Sequence, residues 1–173
     1  GLAMLEFESE YGSFPNDETA AAVKETSGMT LPVKPKTADD CFYQLFAAGI
    51  IDDLRIFSFE EPRRVAPSKA KKGPEKATRC SFSYVSGMNA AGHPGRPLVM
   101  TPMVSGKTTF DPKPLGGKAF VLFCDNSVRA FPIEADGRVL MAGKDLFDPA
   151  QPFWNGKVPP IKWPDSSQNA KTD

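Results

Sequence analysis

The sequence has a single histidine, His93, and only three cysteines, Cys41, Cys80 and Cys124. A metal centre built on several imidazoles is therefore excluded, and a serine or cysteine nucleophile could recruit only His93 as its base. No two cysteines stand in C-x-x-C spacing, which argues against structural zinc and thioredoxin-like redox motifs. Their odd number leaves two arrangements open: one disulfide with a free thiol, or three reduced thiols in a core. Net charge is lacking too, with 21 basic residues against 21 acidic ones. No overall field favours an anionic membrane or an acidic partner, and no nucleic-acid partner is expected. No apolar run approaches the roughly 20 residues that cross a bilayer, and no charged leader followed by an apolar core marks a signal peptide. On this reading the 173-residue chain is soluble.

What the chain does contain is proline and glycine, 17 and 14 residues, which imply much irregular backbone between short elements. Its length suits one domain with a real hydrophobic core, taken here as residues 1–165. Residues 2–11 are helix formers that stop at Tyr11-Gly12, where glycine suits the position past a helix end. At 100° per residue, Ala3, Met4, Phe7 and Tyr11 share one face while Leu2 and Leu5 point roughly the other way. One apolar face would serve a core, so the second needs another explanation. "NDETAAAVKETSG" (16–28) reads as a second helix, capped by Asn16 or Asp17 and closed by Gly28. "TADDCFYQLFAAGI" reads as a third, with Thr37 and Asp40 as a capping box, an apolar face of Cys41, Phe42, Leu45, Phe46 and Ala48, and Gly49 at its end.

"LRIFSF" (54–59) is expected to be a short extended segment. Residues 60–77 are proline-rich and basic with almost no large apolar side chain, and are expected to form a mobile solvated loop. The rest reads as β-structure: "TRCSFSYV", "RPLVMTPM", "KAFVLFC" and "SVRAFPI", the last two joined into a hairpin by the turn pair Asp125-Asn126. A second turn at Ala135-Asp136-Gly137 leads to "RVLM" and completes an expected meander. Residues 145–164 should wrap the sheet as an ordered loop, and 166–173 should be a disordered tail. Helices first and antiparallel strands afterwards make the fold class α+β.

Residues that resemble catalytic groups are better explained otherwise. Gly106-Lys107-Thr108 copies the end of a phosphate-binding loop, but Thr101 stands where its first glycine belongs and Asp111-Pro112 blocks the helix that should follow. His93 lies in "AAGHPGRP" and reads as a turn residue. Glu6, Glu8 and Glu10 spread around a helix instead of converging, which suits a solvated or filament-facing surface. Asp125, Asp145 and Asp148 read as turn and cap residues, since no twelve-residue calcium loop surrounds them. The basic run from Arg63 to Arg79 lacks the interleaved aromatics that stack on bases. No constellation supports catalysis, and the chain is expected not to be an enzyme and to need no cofactor.

An amphipathic N-terminal helix ending in Tyr-Gly-x-Phe-Pro, followed by a small α+β head with an antiparallel meander and a wrapping C-terminal loop, resembles the soluble part of a type IV pilin or type II secretion pseudopilin. The closest likeness is to the G-type (major) pseudopilin-like proteins. It is carried by "GLAMLEFESEYGSFP", and more softly by "CFYQLFAAGI", "RPLVMTPM", "KAFVLFCDNSVRAFPI" and "DLFDPAQPFWNGKVPPIKWP". The resemblance implies that residues 1–12 are the C-terminal part of a stalk helix whose membrane-inserted portion lies upstream. It also implies prepilin processing and methylation, an inner-membrane-anchored periplasmic head or a place in an extracellular filament, and assembly with other subunits and the secretion or pilus machinery. Leu2, Ala3, Met4, Leu5, Phe7 and Tyr11 would then carry helix packing and assembly. Calcium near the C-terminal loop is a further implication, with no ligand set transferred to Asp145 or Asp148. A different expectation is a periplasmic or cell-surface binding module, with Phe147, Phe153, Trp154 and Trp163 lining a ligand site.

Overall fold

The computed structural model describes residues 1–58 and 80–165. The basic loop expected over 60–77 and the tail expected over 166–173 lie outside them. The chain begins with three helices, each bounded by the local chemistry of its ends. Helix α1, Leu2–Tyr11, stops where Gly12 turns left-handed (φ 79°) and returns its N–H to the Glu8 carbonyl. Helix α2, Asp17–Ser27, starts at Asn16, whose Oδ1 accepts from the N–H groups of Glu18 and Thr19, while the Thr19 hydroxyl accepts from the Asn16 N–H. Helix α3, Ala38–Ala47, repeats that reciprocal cap with Thr37 and Asp40. These caps satisfy N–H groups that have no partner inside a helix.

The buried face of α3 comprises Ala38, Cys41, Phe42, Gln44, Leu45 and Ala47. Phe46 and Ala48, expected on that face, are only half-buried, and Phe46 stacks on Tyr43 at the rim. Gln44 tolerates full burial because its amide is used: Thr19 Oγ1 donates to Oε1 at 2.7 Å, and Nε2 donates to the Asn16 carbonyl at 3.1 Å. The polar pair thereby ties α3 to the start of α2.

Residues 54–57 are a single 3-10 turn, not the extended segment expected from "LRIF". Asp53 caps it by accepting from the Arg55 N–H, and Phe57 is drawn onto Phe42 with ring centroids 4.2 Å apart. A local cap plus one aromatic contact therefore overrides β-propensity over four residues.

The strands are β1 (Ser83–Val85), β2 (Pro97–Thr101), β3 (Lys118–Phe123), β4 (Val128–Pro132), β5 (Leu140–Met141), β6 (Lys144–Asp145) and β7 (Ile161–Lys162). Five of them form one antiparallel sheet in the order β4-β3-β2-β1-β7. The expected hairpin is present: β3 and β4 pair from Lys118↔Pro132 to Leu122↔Val128, and the chain reverses through Asn126 in the left-handed region (φ 65°). The meander ends there. After the turn at Gly137, residues 140–141 pair with 144–145 as a separate two-stranded ribbon instead of adding to β4. The Gly137 carbonyl is already engaged by the Phe110 N–H, which draws the chain away from the sheet edge. The C-terminal segment also does more than wrap, because residues 161–162 become the edge strand beside β1.

The sheet is covered on both faces at β1 and β2, whereas β3 is fully buried on one alternation only and β4 is largely exposed. Partner residues in a register share a face, so Tyr84, Val99, Leu122 and Val128 form a row across four strands. Tyr84 in that row packs on Phe42 of α3, which marks it as the helix-facing side. The alternate residues of β3, Ala119, Val121 and Phe123, are buried on the opposite face.

Candidate assembly surface

Helix α1 is seated on the helix-facing side of the sheet by Met4 and Phe7, which are buried. Tyr11 is half-buried and stacks on Phe7 at 4.6 Å, and Ala3 is half-buried beside Met4. Four of the six residues singled out in the sequence thus lie on the face that holds the helix to its own domain. The other two separate. Leu2 is 76% exposed, whereas Leu5, expected to point outward with it, is half-buried and packed against the core. The reason is Phe14: beyond the turn at Gly12 the chain folds back, so Leu5, Met4, Phe14, Leu98 and Leu122 line one narrow seam. Core therefore lies on two sides of α1. Of the three glutamates, Glu6 and Glu10 are exposed, but Glu8 is half-buried and accepts from the Ala90 N–H, holding the loop before β2 against the helix.

Beside the first turn of α1 runs an apolar groove of about 250 Å³. Ala3 and Met4 form one wall, Ile56, Phe57 and Phe82 another, and Val99, Phe120, Leu122 and Val128 the floor. Among the described residues its lining carries no ionisable side chain, and Gly1 brings the N-terminal backbone to its edge. Ile56 is 56% exposed, Val128 63% and Phe120 39%; with Leu2, these are four of the five large apolar side chains that stand exposed among the described residues. Isolated exposed apolar residues are ordinary, but a contiguous group of them marks a contact surface. The sequence pointed to Ala3 and Met4 as helix residues that hold the domain, while Ile56, Phe120 and Val128 beside them went unread. The run "KAFVLFC" held a signal for one of them: apolar on both alternations, it is the pattern of a strand covered on both faces.

The remaining candidate residues occupy structural positions. His93 is an exposed turn residue whose Nδ1 accepts from the Gly95 N–H. Residues 104–109 close a tight loop, with the Val104 N–H on the Thr109 carbonyl and the Lys107 carbonyl accepting from the Trp163 indole. Asp125, Asp145 and Asp148 each turn a carboxylate oxygen onto the backbone N–H two residues ahead. Among the described residues, no three His, Cys, Asp or Glu side chains gather as a metal-ligand group. The cysteines adopt the second of their two arrangements, as three buried free thiols. Burial pushes the thiols of Cys41 and Cys80 up to about 12 and that of Cys124 to about 11, so none carries appreciable thiolate near neutrality. Of the tail aromatics, Phe147, Phe153 and Trp154 are buried, with the Trp154 indole N–H spent on the Leu146 carbonyl, while Trp163 is half-buried and its indole N–H is on the Lys107 carbonyl.

No helix among the described residues is long and apolar enough to cross a membrane. Comparison with protein-family models, with curated proteins and with solved structures gives no match.

Proposed function

We propose that this chain is the head of a non-enzymatic structural subunit of the type IV pilin or type II secretion pseudopilin kind, which assembles with other subunits through the start of α1 and the groove beside it. The observation that carries the proposal is the apolar groove beside the first turn of α1, lined by the exposed Ile56, Phe120 and Val128, with Leu2 exposed on the same turn of a helix whose other side is seated on the sheet. Such a surface exposes apolar area to water and gains free energy when an apolar neighbour covers it. In this reading α1 is the lower part of a stalk, an upstream apolar portion anchors it in the inner membrane, and the head lies on the periplasmic side or in a filament at the cell surface. The machinery of secretion or pilus assembly is its further partner.

The test is production of the protein from its complete reading frame in cells with an intact assembly system, followed by recovery of filaments or membrane-bound oligomers. A Leu2→Glu, Val128→Glu double variant should lower the assembled fraction sharply while the head stays folded. Assembly unchanged by that variant would overturn the proposal, as would charged sequence, in place of an apolar helix, immediately upstream of Gly1. The alternative of a binding module has less support, because three of its four suggested aromatics, Phe147, Phe153 and Trp154, are buried and only Trp163 is partly exposed.

A further inference from the structure

We draw no further inference here: the strongest candidate, the apolar groove between the first turn of α1 and strands β3 and β4, belongs to the surface already described, and nothing in the structure shows what covers it.

Discussion

The Tyr84 hydroxyl donates a 2.8 Å hydrogen bond to the carbonyl of Pro15, 69 residues earlier in the chain, and both groups are buried. It pins the link between α1 and α2 to the central part of the sheet, where Tyr84 also packs against Phe42. Tyr84→Phe keeps the ring and removes the donor, leaving a buried carbonyl unpaired. The expected loss is about 1–3 kcal/mol of unfolding free energy, read from urea denaturation. A variant as stable as the parent would show that water replaces the bond.

A second polar anchor sits at the far end of the chain. Gln151 is buried, and its Nε2 lies 3.0 Å from the Met141 carbonyl, 3.2 Å from that of Lys144 and 3.0 Å from that of Asp145. One side-chain amide thus organises the whole β5–β6 ribbon. Gln151→Leu should destabilise by about 1–3 kcal/mol through unpaired carbonyls. Gln151→Glu should do worse at neutral pH, because a carboxylate cannot donate to oxygens that also repel it. Its folded pKa would rise, so that variant should regain stability as the pH falls, a trend absent from Gln151→Leu. Thermal melts of both proteins between neutral and mildly acidic pH check the contrast.

Features set by neighbours in sequence were the ones that could be read in advance. The start of α2 at Asn16 or Asp17, the reciprocal cap of Thr37 with Asp40, the stops at Gly12 and Gly28, and the Asp125-Asn126 reversal each depend on residues within four positions of one another. What failed depends on distant chain. Residues 140–141 leave the sheet because the chain there is held to Phe110, and residues 161–162 gain strand character only by meeting β1. The groove is the extreme case, as its walls come from residues 1, 3–4, 56–57, 82, 99, 120, 122 and 128. No window of the sequence contains that juxtaposition, and helical periodicity alone could not show that Phe14 would return to cover Leu5.

The reversal at Asn126 gives a local test. Its φ of 65° is left-handed, a region that asparagine and glycine visit readily and β-branched residues do not. Asn126→Gly should leave stability nearly unchanged, whereas Asn126→Val should cost about 1–2 kcal/mol. Equal stability of the two variants would show that the turn relaxes to another conformation.

The three buried thiols make stability fall on the alkaline side. Each is held above its ordinary value near 9 by desolvation in the folded state, up to about 11 or 12. Above pH 9 the unfolded chain therefore loses thiol protons that the folded chain keeps, and ionisation favours unfolding. The stabilisation is complete below the unfolded value and is lost progressively as the pH climbs through the folded ones. Denaturation midpoints should fall between about pH 9 and pH 11, and a Cys41→Ala, Cys80→Ala, Cys124→Ala protein should show a shallower slope over that window. At neutral pH a thiol reagent should label the native protein slowly and the denatured protein at three positions.

Leu2 and Val128 differ from Met4 in what their removal should do, and the difference separates an assembly surface from a core. Met4 is 3% exposed and sits where α1 meets the sheet, so Met4→Ala should cost about 2–5 kcal/mol through lost burial and the cavity left behind. Leu2 and Val128 are 76% and 63% exposed, and Leu2→Glu or Val128→Glu should change unfolding free energy by no more than about 0.5 kcal/mol. Their effect should fall on association instead. In sedimentation velocity over a concentration series, any self-association of the parent should weaken in Val128→Glu, which alters the groove floor, and in Leu2→Glu, on the helical turn that carries Ala3 and Met4, and replacing exposed Val33, which belongs to neither, should leave it unchanged. If all three substitutions act alike, general surface hydrophobicity drives association and the groove has no special part in it. If Val128→Glu unfolds the head, the β3–β4 edge belongs to the core and the exposed patch contracts to Leu2 and Ile56.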